Sequence, residues 1–427
     1  MPITERLSLK ARVICPVARP AVENAVVEIE AGNVVEIHAR PHSTTIDLGN
    51  VALLPGLVNA HTHLEFSNLA GPLCPPHPFA DWIKSVVAER RRRCETEAPP
   101  ATTRIEKDPI ARGLRECFET GTSAVGDIVT GSLDDADDSA PVIEAIQAGR
   151  LMPFRELLAP TASGVAATWA KAEEYLQKVE ALIPGRRSGL SPHASYTITR
   201  DLLDQAIARA IRDRRPLAIH LAETREELEL LRLGTGPLVE MLKRLGQWDE
   251  GARAGTRPLD YQQALSNAPR VLIIHGNYLD NEELQFLGQH PQMSLVYCPR
   301  THRYFGHSRY PLDEAIRSGV NIALGTDSRA SNPDLNLWEE AKTVAALFPH
   351  ISPTEIIQMA TSNGARALGQ TSRHGIIEPG RPADLCCVQL AAGETDPLRA
   401  ALLPQACVVG AMHAGRWIGT LPECDPH

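Results

Sequence analysis

No part of this sequence has the apolar length of a membrane span or the layout of a secretion signal. Its 427 residues contain no run that approaches the roughly 20 consecutive apolar side chains that cross a bilayer. The N-terminus, Met-Pro-Ile-Thr-Glu-Arg, has no charged segment followed by a long apolar one. These absences predict a cytoplasmic protein without a membrane partner.

Basic residues are too few for a nucleic-acid-binding surface. Lys and Arg number 43 against 52 Asp and Glu, which gives a formal net charge of −9, whereas phosphate binding needs clustered positive charge. The cluster Arg90 to Arg93 follows Trp82 and precedes Glu95 and Glu97. We interpret it as the solvated end of a helix with local ion pairs; the alternative is an anion-binding lip over an active site.

Two catalytic signatures and a disulfide framework are also missing. The nucleophile motif Gly-x-Ser-x-Gly and the phosphate-binding motif Gly-x-x-x-x-Gly-Lys-Ser/Thr do not occur. The nine cysteines are odd in number and form no Cys-x-x-Cys, a pattern typical of reduced, mostly buried thiols. The sequence therefore disfavours a serine hydrolase, a nucleotide-binding P-loop protein and a disulfide-bonded scaffold.

The sequence does contain a His-x-His pair at the end of an apolar run. Residues 55–67 read Pro-Gly-Leu-Val-Asn-Ala-His-Thr-His-Leu-Glu-Phe-Ser, with imidazoles at His61 and His63. Residues i and i+2 of an extended backbone face the same side, so both side chains can bind one ion. Because the chain has fifteen histidines, such a pair can also arise by chance.

Three later segments repeat this arrangement of a short apolar strand that runs into an ionisable residue. They are Pro-Leu-Ala-Ile-His220-Leu-Ala-Glu223, Val-Leu-Ile-Ile-His275-Gly and Asn-Ile-Ala-Leu-Gly-Thr-Asp327-Ser. Four strands that end this way, separated by helical segments, indicate a parallel barrel with its chemistry at one rim. Coincidence becomes a poor explanation for the His-x-His pair.

The periodicity predicts an α/β fold, a (β/α)8 barrel with a small β-sandwich domain built from both chain ends. Helical patterns separate the strand-like segments between 55 and 378, and β-rich runs occupy 1–54 and 379–427. The polar segment 249–268 is expected to be a surface excursion. Eight strand-like segments begin near Leu54, Ser123, Arg150, Gly189, Pro216, Val271, Ser294 and Val320. Helical stretches include 167–182, 200–214, 225–245, 280–289, 312–318 and 335–348.

Three imidazoles and a carboxylate, from His61, His63, His220 and Asp327, suit one divalent metal, Zn²⁺ or alternatively Fe²⁺. A catalytic metal lowers the pKa of its water towards roughly 7, which yields hydroxide at neutral pH. Glu223 can then move a proton from that water to a leaving nitrogen. The remaining two predicted catalytic roles belong to His275, as a hydrogen-bond partner of the hydroxide, and to Asp327, as a proton acceptor.

These segments, with the closing run Pro379-Gly-Arg-Pro-Ala-Asp-Leu, resemble the amidohydrolase superfamily and more narrowly its ATZ/TRZ branch of aminohydrolases and chlorohydrolases. The resemblance spans nearly the whole chain and implies the same ligands, proton shuttle and water-binding histidine. Binuclear relatives carry a bridging Lys at the end of strand 4. Here that strand reads Leu190-Ser-Pro-His193-Ala-Ser-Tyr196, so the resemblance implies a single metal. A homo-oligomer is a further expectation from the family.

Two candidate substrate-binding residues come from the same resemblance. His193 resembles a substrate-contacting histidine of the branch; the alternative is a histidine bonded to backbone. Glu65 stands in a His-Leu-Glu-Phe-Ser run similar to that of aminofutalosine-type deaminases. It can read a ring nitrogen or a hydroxyl, or else orient a ligand histidine.

Further candidates are Arg300 and His302, which follow strand 7 in Cys298-Pro-Arg-Thr-His-Arg-Tyr-Phe-Gly-His307. Many branch members have Cys-Pro-x-Ser-Asn here, so this departure leaves the substrate open. A polar surface loop is the alternative for this segment. Glu156 at the end of strand 3 and Trp82, an aromatic wall or a core residue, complete the predicted substrate-binding set.

The first function hypothesis is hydrolytic deamination of an amino-substituted heteroaromatic ring, such as an adenosine derivative, aminofutalosine, a purine or a triazine, by metal-bound hydroxide with release of ammonia. The alternative is hydrolysis of a cyclic amide, an imidazolone or a carbon–chlorine bond on the same scaffold. Glu223 favours deamination, because a leaving amine needs a proton and a chloride does not. A catalytically silent scaffold would have lost metal ligands, and none is missing here.

Overall fold

The computed structural model describes residues 6–42, 44–95, 108–131, 140–185, 187–251 and 253–419. In the helix 79–95, the description covers the backbone of residues 93–95 but not their side chains. The predictions that concern Arg93, Glu95 and Glu97 therefore lie outside the described part of the chain. No helix in these ranges is long and apolar enough to cross a bilayer. Seven described cysteines are free thiols, and five of them are buried.

The described strands form two sheets of eight strands each. In chain order the strands are β1 (Arg6–Ile14), β2 (Val22–Glu30), β3 (Asn33–His38), β4 (Ile46–Asp47), β5 (Val51–Pro55), β6 (Leu57–Thr62), β7 (Thr122–Val129), β8 (Leu151–Leu157), β9 (Gly189–Pro192), β10 (Leu217–Leu221), β11 (Val271–His275), β12 (Met293–Tyr297), β13 (Asn321–Leu324), β14 (Leu385–Gln389), β15 (Cys407–His413) and β16 (Arg416–Ile418).

The barrel consists of β6 to β13, paired in parallel with each neighbour in sequence order. A parallel bridge between Thr62 and Asp327 joins its first and last strands. Strand β11, Val-Leu-Ile-Ile-His, is buried at every position, as expected for a strand covered on both faces. The predicted (β/α)8 barrel is confirmed, and all eight strands begin within about three residues of the predicted starts.

Both chain ends contribute to the second sheet, whose order is β16-β15-β14-β5-β1-β2-β3, with β4 paired to β1. Strand β5 pairs in parallel with β1 and antiparallel with β14. One residue, Gly56, separates β5 from the first barrel strand, so the N-terminal segment enters the barrel directly from this mixed sheet. The domain bounds 1–54 with 379–427 and 55–378 remain predictions, as does the homo-oligomer.

Most helices lie between barrel strands; three follow the last barrel strand, and one connects β14 with β15. They are α1 (Phe79–Glu95), α2 (Pro109–Glu119), α3 (Ala140–Gln147), α4 (Val165–Leu182), α5 (Arg200–Asp213), α6 (Arg225–Leu233), α7 (Pro237–Arg244), α8 (Pro258–Leu265), α9 (Asn281–Gln289), α10 (Pro299–Tyr304), α11 (Leu312–Arg317), α12 (Leu337–Leu347), α13 (Pro353–Ala360), α14 (Ser362–Leu368) and α15 (Pro397–Ala401). Short 3-10 turns occupy Leu64–Phe66 and Ala162–Gly164.

Two predicted segments differ from the structure for local reasons. The stretch 225–245 is two helices, because Gly234 and Gly236 adopt positive φ and Pro237 then starts α7. The prediction of a surface excursion at 249–268 is wrong in part, because 258–265 forms helix α8 and Leu265 is fully buried. Most of this segment is polar, so the apolar face of one short helix was not recognised in the sequence.

A buried ion pair joins the barrel to the mixed sheet. Arg150, just before β8, donates from Nη2 to Oδ1 of Asp384, just before β14, at 2.9 Å. The Nδ1 atom of His374 lies 3.3 Å from the other carboxylate oxygen. Although burial opposes the charge, His374 and Arg150 lower the pKa of Asp384. The Asp384 carboxylate is therefore ionised, and its charge is stabilised by Arg150 and His374.

Arg150→Met is expected to lower the free energy of unfolding by about 3 kcal/mol, since it leaves a buried carboxylate with one cationic partner removed. Urea unfolding followed by circular dichroism measures this change. Arg317→Met is the matched control, because Arg317 is 68 % exposed in its pair with Glu314, and a change within about 0.5 kcal/mol is expected there. Equal effects in both variants would contradict a role for the buried pair.

Candidate active site

Three imidazoles meet at the carboxyl ends of strands β6 and β10. The possible ligand atoms of His61, His63 and His220 all lie within 4.8 Å of one another, and all three residues are buried. The Nε2 atoms of His63 and His220 are 3.3 Å apart. Two nitrogens that bind one tetrahedral Zn²⁺ at the usual length are about 3.3 Å apart, so the spacing fits a shared ion.

The hydrogen bonding of these imidazoles also fits a metal. Both ring nitrogens of His61 and Nδ1 of His63 are buried without a hydrogen-bond partner, which is costly unless something else binds them. Nδ1 of His220 lies 2.7 Å from the carbonyl oxygen of His193. Because a carbonyl can only accept, Nδ1 carries the proton and Nε2 keeps its lone pair for a ligand. The predicted metal site at His61, His63 and His220 is confirmed.

Asp327 faces the same point from the last barrel strand. Its Oδ1 lies 3.6 Å from Nε2 of His61 and 3.6 Å from Nε2 of His63, and its Oδ2 accepts a 2.7 Å hydrogen bond from the hydroxyl of Ser331. Although burial opposes ionisation, the surrounding imidazoles, foremost those of His61 and His275, hold the pKa of Asp327 well below its usual range. The side chain is thus a fixed anion beside the three imidazoles.

Glu223 and His275 lie next to each other beside this group. Oε1 of Glu223 is 3.6 Å from Nε2 of His275, and both residues are buried. Burial, with added repulsion from Asp327 and Glu227, raises the pKa of Glu223 well above its usual value. A carboxyl group with a raised pKa is a stronger base than an ordinary carboxylate, so it can accept a proton and later release it.

The backbone is strained where these residues leave their strands. Ala222, His275 and Asp327 all adopt positive φ, at 54°, 67° and 55°. Such conformations are unfavourable for residues other than glycine and persist where surrounding contacts enforce them. Here they turn the chain sharply at the strand ends and direct the ionisable side chains to one rim.

Glu227 is a buried member of the site that the sequence did not reveal. Its Oε2 accepts a 2.8 Å hydrogen bond from the backbone N–H of Glu223, and its Oε1 accepts one from the hydroxyl of Ser195. Burial raises the pKa of Glu227 to about 7. Glu227 lies in the first turn of α6 behind the cap Thr224, a position that usually indicates a solvated acidic helix end. The sequence at this helix start therefore did not indicate that Glu227 is a buried residue of the site.

A cavity opens from the metal site, and two of the predicted substrate-binding residues, His193 and Trp82, line it. Nδ1 of His193 is 2.6 Å from the hydroxyl of Thr197, and burial lowers the pKa of this imidazole to about 3. The indole of Trp82 donates to the carbonyl of Ala330 at 3.2 Å and stacks on Phe79 at 5.6 Å between ring centroids. Both side chains are held in place by these contacts.

Glu65 and Glu156 meet at the guanidinium of Arg90, which also lines the cavity. Nη2 of Arg90 is 2.7 Å from Oε1 of Glu65 and 3.6 Å from Oε1 of Glu156. Burial opposes the charge, yet Glu156 and Glu65 raise the pKa of Arg90. The basic cluster is therefore divided: Arg90 faces the cavity, whereas Arg92 pairs with Glu89 on the surface, as a solvated helix end would.

Arg300 and His302 do not line this cavity. The guanidinium of Arg300 forms two 2.8 Å hydrogen bonds with Asp334. His302 is buried and, with His307, lines a second cavity next to Tyr297. Both residues belong to helix α10, which begins at Pro299. Their predicted role in substrate recognition has no contact in support and remains a prediction.

Comparison with known proteins agrees with this geometry. The sequence profile of the Amidohydrolase family matches residues 52–418. The chain belongs to the amidohydrolase family. A 5-methylthioadenosine/S-adenosylhomocysteine deaminase of Pyrococcus furiosus is 30% identical to this amidohydrolase over 378 residues, covering 85% of this chain and 81% of the relative. The predicted recognition and the predicted aminohydrolase class are confirmed.

Two solved structures of deaminases share the fold. A zinc-bound adenosine deaminase from Xanthomonas campestris is 25% identical, with a TM-score of 0.74 over 99% of this chain and 94% of that one. The aminofutalosine deaminase of Helicobacter pylori is 20% identical, with a TM-score of 0.77 over 97% of this chain and 100% of that one. The second similarity is evidence for the fold alone.

Proposed function

We propose that this amidohydrolase hydrolyses the amino group from the ring of a 6-aminopurine nucleoside. Water replaces the amine, so that the ring carbonyl forms and ammonia leaves. The observation that carries the proposal is the juxtaposition of the histidine triad with Glu223 and His275 at the inner end of a mostly apolar cavity. The names of the P. furiosus relative and of the X. campestris deaminase, both of which act on adenosine compounds, support the same class.

We further propose a single Zn²⁺ as the metal, with Asp327 as fourth protein ligand to His61, His63 and His220. Buried neutral imidazoles with one ionised carboxylate suit zinc at a catalytic position, and the zinc in the X. campestris structure supports this choice. Iron(II) accepts the same donors. Metal analysis of the purified protein distinguishes the two.

The chain's own residues then account for proton movement. A bound metal supplies a water of lowered pKa as the nucleophile. Glu223 takes one proton from the attacking water and delivers it to the ring nitrogen. It then carries the second proton of that water from the new hydroxyl group to the amine, which leaves as ammonia while the ring carbonyl forms. His275, whose Nε2 atom is 3.6 Å from the Glu223 carboxyl, is placed to hydrogen-bond the attacking oxygen. Its pKa is lowered by burial, so a neutral imidazole performs this task.

Three of the predicted substrate-binding residues, Glu65, Glu156 and His193, support the placement of the rest of a nucleoside. Glu65 and Glu156 do not line the cavity themselves, but both contact Arg90, which does, and their carboxylate oxygens would accept hydrogen bonds from sugar hydroxyls that reach this cluster. His193 lies between this cluster and the metal ligand His220, where it can contact the purine ring.

Ammonia release from the purified, metal-loaded protein tests the proposal. We expect release from adenosine derivatives and none from cytosine or aminotriazines, because the polar cluster suits a sugar. Chloride release from a chlorotriazine, or ring opening of a cyclic amide, without ammonia from any adenosine derivative would contradict the proposed function and favour the other hydrolytic reactions.

A further inference from the structure

The proposed proton carrier, Glu223, lies in a short connection between a strand and a helix. Residues 222–224 join β10, which ends at Leu221, to α6, which begins at Arg225. The chain turns sharply at Ala222, where φ is 54°. The backbone of Glu223 is therefore held by contacts other than those of a strand or a helix.

The backbone N–H and carbonyl of Glu223 are each bound by a buried side chain. The N–H donates to Oε2 of Glu227 at 2.8 Å, and the carbonyl accepts from Nδ2 of Asn277 at 2.9 Å. Glu227 is fully buried, and Asn277 is 5 % exposed. A hydrogen bond in such surroundings is stronger than one in water. The peptide groups on both sides of the Glu223 side chain are thus fixed.

Asn277 belongs to the segment 276–278, which follows His275 at the end of β11. The N–H groups of residues 276 and 278 donate to the carbonyl groups of residues 221 and 222, at 3.0 Å and 3.1 Å. With the Asn277 bond, three consecutive residues after β11 bind three consecutive residues at the end of β10. These contacts fix the 3.6 Å separation between the carboxyl of Glu223 and Nε2 of His275.

Glu227 is itself anchored by two hydroxyl groups. Its Oε1 accepts a hydrogen bond from Ser195, which lies after β9, and its backbone N–H donates to Oγ1 of Thr224, the N-cap of α6, at 3.1 Å. Because both carboxylate oxygens of Glu227 are engaged, the group cannot rotate without the loss of a buried hydrogen bond. Neither Glu227 nor Asn277 lines the cavity of the metal site, so neither is placed to contact a ligand.

We infer, resting on the proposed function, that Glu227 and Asn277 are positioning residues that hold the Glu223 carboxyl between the attacking water and the leaving amine. Proton transfer needs donor and acceptor atoms about 2.6–3.2 Å apart, and a misplacement of about 1 Å can lower a rate about 100-fold. The two residues act through the backbone of Glu223 and take no part in the chemistry themselves.

Kinetics of two Glu227 variants separate position from charge. Glu227→Leu is expected to lower kcat for ammonia release by about 10–100-fold with KM nearly unchanged, because the acceptor of the Glu223 N–H is lost. Glu227→Gln should retain most of the activity, since its amide oxygen still accepts that hydrogen bond. Glu282→Leu is the matched control, in the first turn of α9 and 65 % exposed, and should behave as the wild type. Equal losses in Glu227→Leu and Glu227→Gln would overturn the inference.

A second set of variants tests whether both residues act through Glu223. Asn277→Leu alone should lower kcat as Glu227→Leu does, and it decides by the same criteria if Glu227→Leu does not fold. In a Glu223→Gln background, neither substitution should lower kcat further, because no proton carrier is left to position. A further loss of kcat, or loss of the metal, in that background would overturn the inference and assign both residues a structural role.

Amide hydrogen exchange measures the Glu227 contact without a substrate. We expect the Glu223 amide to exchange faster in metal-loaded Glu227→Leu than in the wild type or in Glu227→Gln, since its buried acceptor is lost. Unchanged exchange in Glu227→Leu would overturn the inference. Faster exchange in Glu227→Leu, with no ammonia released by the wild type from any adenosine derivative, would contradict the proposed function and support the positioning of Glu223.

Discussion

Glu223→Gln is expected to lower kcat by about 10²–10⁴-fold, the usual contribution of general acid–base catalysis, while the metal content stays that of the wild type. The amide has nearly the shape of the carboxyl group but cannot carry a proton between water and the leaving amine. The hydrogen bonds of residue 223 with Glu227 and Asn277 are made by its backbone N–H and carbonyl groups and not by its own side chain. The substitution therefore retains the fold. Steady-state ammonia release and metal analysis of the same sample measure the two quantities.

Glu174→Gln provides the control for this substitution. Glu174 is 64 % exposed on α4, where it pairs with Lys178, and its loss should change neither kcat nor metal content. A Glu223→Gln enzyme with wild-type turnover would remove Glu223 from the proposed mechanism. A variant that lost both metal and activity would instead assign Glu223 a structural role in the metal site.

Asp327→Ala is expected to lower metal affinity by more than about 100-fold. Loss of a residue that only supports a metal ligand typically lowers the affinity about 10–100-fold, and loss of a ligand itself should cost more. Activity should fall in parallel, because the substitution removes the one carboxylate among three buried imidazoles. Metal content after dialysis against a chelator, and zinc titration of the stripped protein, measure the affinity.

Asp204→Asn is the matched control for that experiment, since Asp204 is 52 % exposed in a surface pair with Arg200. It should retain metal as the wild type does. Full metal occupancy in Asp327→Ala, with activity reduced, would place Asp327 in proton transfer and not in the ligand set. Full occupancy with full activity would contradict both roles.

The strand-end pattern predicted more of the site than any other feature. His61, His63 and His220 were identifiable because each ends a short apolar run, and parallel strands of a barrel deliver such ends to one rim. The same reasoning predicted a substrate-binding role for Arg300 and His302, and that role stays a prediction. They lie after strand β12 in helix α10, which begins at Pro299, and neither lines the cavity that opens from the metal site. Asp327 and Arg300 both stand three residues past the end of their strands, yet only Asp327 lines the cavity, so distance from a strand end does not by itself decide which side chains reach the site.

The sequence by itself therefore determined the barrel, the mixed sheet from both chain ends, the histidine triad and the family, because these depend on local periodicity and on motifs of a few residues. The tertiary structure alone decided that Arg90 is held by Glu65 and Glu156, that Glu227 supports Glu223, and that α1 and α7 cover the cavity with apolar side chains. The physical reason is distance along the chain. Each of these contacts depends on how a helix packs over the barrel rim, and that packing is set by many small contacts summed over the whole fold.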